Sequence, residues 1–127
     1  MRVEHFALFS KNIEKTKEFY EKYFNGKAGE KYIAKDEEFE SYFISFESGA
    51  RLEIMKMPSV VDIDPAYDYT GYSHLAVSVG SKENVDQLTA RIKEDGYKVV
   101  RGPRNTGDGY YESLVLDPEG NRVEITI

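Results

Sequence analysis

The chain contains no cysteine, and only two of its 127 residues are histidines. The absence of cysteine excludes disulfide bonds, thiolate metal sites and a cysteine nucleophile, so any bound metal must have nitrogen and oxygen ligands. It also fits a reducing compartment, and we expect the protein to be cytoplasmic.

Long apolar runs and clusters of basic residues are also missing. No apolar stretch approaches the roughly 20 residues that span a bilayer, and no N-terminal segment resembles a secretory signal peptide. The chain has 17 Lys and Arg residues against 23 Asp and Glu residues, which gives a net charge of −6, and no basic cluster offers a footprint for nucleic acid. We therefore expect a soluble protein that binds neither membranes nor nucleic acid.

An internal repeat is the most informative feature that the sequence does contain. The segments Gly49–Ile54 (GARLEI) and Gly120–Ile125 (GNRVEI) nearly coincide at an offset of 71 positions, 124 minus 53. His5 in VEHFAL and His74 in YSHLAV lie in segments that correspond at an offset of 69, 74 minus 5. Each half of the chain therefore contributes one histidine and one glutamate.

Each half shows the hydrophobic pattern of a βαβββ unit, which predicts an α+β fold built from two such repeats. For the first unit, residues 1–57, we predict a strand, a helix and three strands at 2–9, 12–26, 31–35, 40–46 and 51–57. For the second unit, residues 72–127, the same elements are predicted at 72–79, 81–96, 97–101, 110–116 and 121–127. Residues 58–71 are the predicted linker within a single domain, 1–127.

The helix boundaries follow from residues that favour helix ends. Asn12 and Ser81 are the predicted N-caps, because their side chains can accept a hydrogen bond from a free backbone N–H of the first turn. Gly26 and Gly96 are predicted to end the helices, and we expect Gly26 to adopt the left-handed conformation there.

Period-2 alternation predicts the face that each candidate residue occupies. In the last strand Val123 and Ile125 share one face and Glu124 the other, and in the earlier copy Leu52 opposes Glu53. We expect the apolar faces to pack against helices on the outside of a curved, funnel-like mixed sheet. The two histidines and two glutamates would then converge inside the funnel.

Two imidazoles and two carboxylates suit a borderline divalent metal ion. They fit Ni²⁺ or Zn²⁺, with Co²⁺, Fe²⁺ or Mn²⁺ as alternatives, and they suit Ca²⁺ or Mg²⁺ poorly because histidine is present. We predict one metal ion per site, held by His5, Glu53, His74 and Glu124. The alternative is that the histidines are hydrogen-bonded structural residues and the glutamates are solvated.

On these residues the whole chain resembles the vicinal oxygen chelate (glyoxalase/bleomycin resistance/dioxygenase) superfamily, and among its branches the glyoxalase I type. The resemblance is carried by His5 in the first strand, Glu53 in RLEIM, His74 in GYSHLAV and Glu124 in DPEGNRVEI. The order His, Glu, His, Glu is the glyoxalase I ligand set. Extradiol dioxygenases and fosfomycin thiol transferases resemble a His, His, Glu pattern, and bleomycin-sequestering members lack the ligands.

The resemblance implies a metal-dependent lyase or isomerase similar to lactoylglutathione lyase. Such an enzyme converts the hemithioacetal of a 2-oxoaldehyde into a 2-hydroxyacyl thioester through a metal-bound ene-diolate. Glu124 is the expected base, with Glu53 acting from the opposite side. The resemblance also favours a homodimer with a small-molecule substrate. Alternatives are another metalloenzyme of the superfamily (epimerase, thiol transferase or dioxygenase) and a resistance protein that sequesters a small molecule.

Two positions depart from the glyoxalase I pattern. Glyoxalase I usually has an arginine four residues after its first histidine ligand and an asparagine four after its first glutamate ligand, and both contact glutathione. This chain has Phe9 and Met57 there, so a different thiol, or a substrate without one, fits better. The candidate pocket residues are Phe9, Met55, Met57, Tyr110 and Tyr111.

Two further features have open interpretations. Arg51 and Arg122 either orient the neighbouring glutamates or face solvent in their hairpins. The segment 103–110 has two glycines and no apolar period, and we expect either a connecting loop or a mobile flap.

Overall fold

The computed structural model describes the entire chain, Met1–Ile127, and divides it into two compact units, Met1–Asp62 and Ile63–Ile127. These units correspond to the two predicted repeats, and the predicted linker is divided between them. Each unit consists of one helix and one mixed sheet, which confirms the α+β class. Neither helix is long and apolar enough to cross a bilayer.

The first unit has one helix and five strands, of which two are very short. In chain order they are β1 (His5–Phe9), α1 (Ile13–Phe24), β2 (Lys27–Ala28), β3 (Tyr32–Ile33), β4 (Glu40–Ser45) and β5 (Arg51–Lys56). The sheet order is β1-β5-β4-β2, and β3 also pairs with β4. β1 and β5 are parallel, whereas the other pairs are antiparallel.

The strand predicted at 31–35 is wrong in extent, because the edge of this sheet consists of two pieces. Lys27 of β2 pairs with Ser45, and Tyr32 of β3 pairs with Ser41. The pairing slips by one residue between the two pieces, as it does at a β-bulge. Two-residue strands carry no alternation that a sequence pattern could reveal, and the prediction therefore missed β2.

The ends of α1 agree with the prediction at one terminus only. Asn12 is the N-cap, and its side chain accepts a hydrogen bond from the Lys15 N–H at 3.1 Å. The left-handed residue at the C-terminus is Asn25, with φ 53°, and not the predicted Gly26. Glycine is required at 26 for space, since a Cβ atom there would lie 2.6 Å from Cγ2 of Ile44.

The second unit repeats the order of the first, but its edge strand is one long strand and not two short ones. Its elements are β6 (Leu75–Ser78), α2 (Lys82–Glu94), β7 (Val99–Asn105), β8 (Tyr111–Leu116) and β9 (Arg122–Thr126). The sheet order is β6-β9-β8-β7, with β6 and β9 parallel and the other pairs antiparallel. Ser81 caps α2 as predicted and accepts a hydrogen bond from the Asn84 N–H at 3.2 Å.

Strand β7 is longer than predicted and includes part of the expected loop or flap. It continues to Asn105, so only residues 106–110 form the turn to β8. Thr106 closes this turn, because its N–H donates to the Tyr110 carbonyl at 2.8 Å and its hydroxyl accepts from the Tyr110 N–H at 2.9 Å. The prediction ended the strand early because Gly102 and Pro103 interrupt the alternation, and the structure has irregular pairing there.

Each helix packs against the apolar face of its own sheet. The alternating apolar residues of the last strands are fully buried, and the buried helix residues meet them. The apolar residues with 0 or 1% exposure in these elements are Phe19, Tyr20, Leu52, Ile54, Val85, Ile92, Val123 and Ile125. Each such burial contributes about 1.5–3 kcal/mol. The predicted apolar faces are therefore confirmed, and Glu53 and Glu124 lie on the opposite faces of their sheets.

We predict that Gly102→Ala destabilises the protein by about 2–4 kcal/mol. Gly102 has φ 79°, and a Cβ atom would lie 2.5 Å from the carbonyl oxygen of Glu112. The left-handed conformation alone costs an L-residue about 1–2 kcal/mol. Urea unfolding measures the change. Gly107→Ala is the matched control, because Gly107 lacks a positive φ and has open space around it, and equal midpoints for both variants would contradict the prediction.

Candidate functional site

Each unit places its histidine beside its glutamate, where the two parallel strands adjoin. In the first unit, Nε2 of His5 lies 3.8 Å from Oε2 of Glu53. In the second, Nε2 of His74 lies 3.3 Å from Oε2 of Glu124. The glutamates are recessed, with side chains 14% and 15% exposed, and the histidines are more open, at 40% and 33%.

The register of the two pairs is the same. Glu53 pairs with Ala7, two residues after His5, and Glu124 pairs with Ala76, two residues after His74. The four candidate ligands thus come together as two equivalent pairs, one in each unit. The structure contains no group of three or more His, Asp or Glu side chains that could hold a metal ion.

A carboxylate orients the imidazole of His5. Nδ1 of His5 contacts the carboxylate of Glu4, which also accepts a hydrogen bond from Nε of Arg51 at 2.9 Å. The pKa of Glu4 is lowered first by its hydrogen bond with His5 and then by that from Arg51. When a carboxylate accepts the hydrogen bond from Nδ1–H, the lone pair of Nε2 stays available to coordinate a metal ion. Arg51 therefore acts on the histidine side of the pair, through Glu4, and stacks on Phe43 at 4.2 Å.

The second unit uses different neighbours for the same purpose. Nδ1 of His74 lies 3.2 Å from the hydroxyl oxygen of Ser73, which again leaves Nε2 facing the glutamate. Arg122, the repeat equivalent of Arg51, binds the carboxylate of Asp68 and the carbonyl of Tyr67 at 3.1 Å. It therefore anchors the segment before β6 and does not orient a glutamate.

A third carboxylate, which the sequence analysis did not single out, lies beside Glu124. Glu112 of β8 is 2% exposed and shares a sheet face with Glu124, because Leu114 pairs directly with Glu124. Oε1 of Glu112 accepts hydrogen bonds from Nε of Arg101 and Nε of Arg104, both at 3.1 Å. One signal was available: a charged residue in the apolar strand YESLVL after two arginines in β7.

The environment pushes the pKa values of these two carboxyls apart. Burial raises the pKa of Glu124 to about 7, and the hydrogen bond and charge of Glu112 add to this effect. Burial also disfavours the ionised form of Glu112, but hydrogen bonds with Glu124, Arg101 and Arg104 outweigh it and lower its pKa to about 2. Glu124 is therefore expected to hold a proton below about pH 7, beside a Glu112 that stays ionised.

Three of the candidate pocket residues belong to the first unit. Phe9 and Met55 pair across β1 and β5, on the sheet face that carries His5 and Glu53. Phe9 is 48% exposed, so it offers an apolar surface beside the pair. Met57 follows the end of β5 and is only partly exposed.

The two candidate tyrosines lie at the start of β8 and differ in orientation. Tyr110 is exposed in the turn before the strand. The Tyr111 hydroxyl donates to Asp86 of α2 at 2.7 Å, and Lys82 of α2 lies over its ring. Tyr111 thus lies on the helix-packed face, opposite to Glu124, and we leave it out of the site proposed below.

The comparison with known proteins gives a family and a set of similar folds. The sequence model of the Glyoxalase/Bleomycin resistance protein/Dioxygenase superfamily matches residues 2–125. The uncharacterized protein YqjT of Bacillus subtilis (strain 168) is 37% identical over 68 residues, which make up 50% of this chain and 53% of that protein. The chain thus matches about half the length of this relative.

Two solved structures of glyoxalase I are similar to this chain. Glyoxalase I from Zea mays has a TM-score of 0.80 at 24% identity, over 98% of this chain and 44% of that chain. The trypanothione-dependent glyoxalase I of Leishmania major has a TM-score of 0.78 at 18% identity, over 99% of this chain and 86% of that chain. At these identities the similarity establishes the fold alone.

We predict that Tyr111→Phe lowers the urea midpoint of unfolding, because it removes the hydrogen bond to Asp86 of α2. Tyr110→Phe is the matched control at the adjacent position, where the hydroxyl has no side-chain partner, and its midpoint should remain that of the wild type. A wild-type midpoint in Tyr111→Phe would contradict this prediction.

Proposed function

Because the chain belongs to the Glyoxalase/Bleomycin resistance protein/Dioxygenase superfamily, we propose that its two histidine–glutamate pairs bind one divalent metal ion in a glyoxalase I-like lyase. The observation that carries the proposal is the shared register of the pairs, in which each histidine precedes the strand partner of its glutamate by two residues. A purely structural histidine in one unit would not require the same neighbour in the other.

The donor set fits the proposed ion. His5 and His74 each have Nδ1 engaged by a neighbour and Nε2 directed at a recessed carboxylate. Imidazole and carboxylate ligands favour Ni²⁺ or Zn²⁺, with Co²⁺, Fe²⁺ and Mn²⁺ as alternatives. When bound, such an ion would polarise the two vicinal oxygens of a substrate and stabilise the negative charge that develops on them.

The two glutamates have different surroundings, which supports different roles for them. Glu124 pairs with Leu114, and the residue two positions before Leu114 is the buried Glu112. In the first unit, the residue two positions before the strand-pairing partner of Glu53 is the buried Ser41. Only Glu124 therefore has a second carboxyl with which to exchange a proton. We assign Glu124 as the base and Glu53 as the glutamate that acts from the other side.

The proposed reaction moves one hydrogen between neighbouring carbons of the substrate. Glu124 takes the proton from the carbon next to the carbonyl and returns it to the former carbonyl carbon. The hydroxyl proton passes from the first oxygen to the second, and the hemithioacetal of a 2-oxoaldehyde thereby becomes a 2-hydroxyacyl thioester, with no external oxidant or reductant. Positioned acid–base catalysis of this kind contributes about 10² to 10⁴ in rate.

The thiol part of the substrate is proposed to differ from glutathione. Phe9 and Met55 present an apolar surface beside His5 and Glu53, which favours an apolar group of the substrate at this place. The similar enzyme of Leishmania major is described as trypanothione-dependent, so thiol choice differs among proteins of this fold. On the family resemblance we also propose a cytoplasmic homodimer.

Metal content per chain, measured by mass spectrometry after stripping and reloading with Ni²⁺ or Zn²⁺, tests the ligand set. We expect close to one equivalent in the wild type and much weaker retention in His5→Ala and Glu124→Gln, because each change removes a ligand. Glu94→Gln, at the end of α2, is the control and should bind as the wild type does. A wild type without tight metal would leave a small-molecule-binding protein as the better account.

Turnover tests the reaction itself. With hemithioacetals of methylglyoxal with several thiols, assayed in excess Ni²⁺ so that the weaker site of Glu124→Gln is also filled, we expect thioester formation that falls by at least about 100-fold in Glu124→Gln. The Glu94→Gln variant should retain the wild-type rate. Metal binding without turnover of any hemithioacetal would point to another metalloenzyme of the superfamily, such as an epimerase or thiol transferase.

A further inference from the structure

Three side chains of the first unit hold the imidazole of His5 in a closed set of contacts. Nδ1 of His5 contacts one oxygen of the Glu4 carboxylate, and Nε of Arg51 donates to the other oxygen at 2.9 Å. The guanidinium of Arg51 lies over the ring of Phe43 at 4.2 Å, and this ring meets the imidazole edge to face, with centroids 5.3 Å apart. His5 is therefore oriented both by a hydrogen bond and by packing.

Strand pairing places these side chains next to one another. His5 pairs with Arg51 between the parallel strands β1 and β5, and the Arg51 N–H donates to the Glu4 carbonyl at 3.0 Å, which continues this pairing by one residue. Phe43 of β4 pairs with Glu53, the glutamate beside His5. The backbone of the sheet thus sets the orientation of the imidazole without help from a metal ion.

The carboxylate of Glu4 decides which nitrogen of a neutral His5 carries the proton. An ionised carboxylate only accepts hydrogen bonds, so Nδ1 of His5 must be the donor in their contact. The carboxylate of Glu53 faces Nε2 from 3.8 Å, which is too far for a hydrogen bond, and the closer Glu4 therefore prevails. In this tautomer Nε2 keeps a lone pair for a metal ion.

His74 has a neighbour that permits either tautomer. Its Nδ1 lies 3.2 Å from the hydroxyl oxygen of Ser73, and a hydroxyl can donate or accept. The carboxylate of Glu124 is 3.3 Å from Nε2, closer than Glu53 is to His5, so its charge favours a proton on Nε2. The arginine of this repeat contributes nothing here, because Arg122 binds Asp68.

We propose that Glu4 is a positioning residue that fixes His5 in the tautomer with the proton on Nδ1, so that His5 is the preformed histidine ligand, whereas His74 exchanges between its two tautomers until an ion is bound. The inference rests on the proposed function, because it concerns how two of the proposed ligands engage the ion. Arg51 holds the carboxylate of Glu4 in place, and its stacking on Phe43 restricts its own movement. A ligand that is already oriented loses less conformational freedom on binding.

Long-range ¹H–¹⁵N NMR of the metal-free protein at about pH 8, where an ordinary histidine is neutral, tests the tautomers. The experiment distinguishes a protonated ring nitrogen from one with a free lone pair, and the chain has only two histidines. We expect His5 to carry its proton on Nδ1 alone and His74 to show an average of both forms. In Glu4→Gln, His5 should also become a mixture, because an amide can donate as well as accept. Glu18→Gln removes the same charge from an exposed position of α1 and should leave both imidazole spectra unchanged.

Calorimetric titration with Ni²⁺ tests the consequence for metal binding. Glu4→Gln should weaken binding by about 10- to 100-fold, because the carboxylate that orients a ligating histidine supports metal affinity to that extent. Ser73→Ala should weaken binding less, and the control Glu18→Gln should bind as the wild type does. An equal or larger loss in Ser73→Ala would contradict the assignment of His5 as the preformed ligand.

The outcomes separate this inference from the function on which it rests. Equal tautomer mixtures at His5 and His74 in the wild type would overturn the positioning role of Glu4, and this comparison does not require any variant to fold. A His5 spectrum that is unchanged in Glu4→Gln would overturn it as well. If the wild type shows the expected tautomers but binds no Ni²⁺, the proposed function fails, and the role of Glu4 in fixing the tautomer stands.

Discussion

Parallel pairing between the first and last strands of each unit is the constraint on which the candidate site depends. It brings together a histidine and a glutamate that are 48 residues apart in one unit, 53 minus 5, and 50 in the other, 124 minus 74. The helix covers one face of each sheet with apolar residues, and alternation then directs the polar residues of the same strands to the opposite face. Because both units keep this pairing, a difference between the pairs must come from the residues around them.

Those surroundings have diverged although the register has not. A glutamate and an arginine support the imidazole of His5, whereas a serine hydroxyl supports that of His74. The buried position next to the glutamate is a serine in one unit and Glu112 in the other. A carboxyl can exchange a proton near neutral pH and a serine hydroxyl cannot, so the two repeats differ chemically. This asymmetry supports the different roles proposed for Glu124 and Glu53.

The sequence predicted the parts of the structure that depend on local pattern or on repetition. The repeated segment RLEI and RVEI identified Glu53 and Glu124, and alternation assigned their faces correctly. The sequence did not predict the burial of Glu112, because a lone charged residue in a strand usually faces solvent. Only the tertiary structure shows that arginines from the neighbouring strand allow this burial. The short strand β2 and the extension of β7 were not predicted, because bulges and glycine interrupt the two-residue alternation on which the strand predictions relied.

The irregular strands that were not predicted lie at equivalent edges of the two sheets. In the first unit the border is split into β2 and β3, and in the second β7 has two register shifts and contains Pro103, which lacks an N–H. A border strand of this kind cannot offer a continuous row of donors and acceptors to another chain. The irregular pairing of β7 therefore protects this edge of the sheet against strand-to-strand aggregation, so straightening β7 by design would be expected to lower the solubility of the protein.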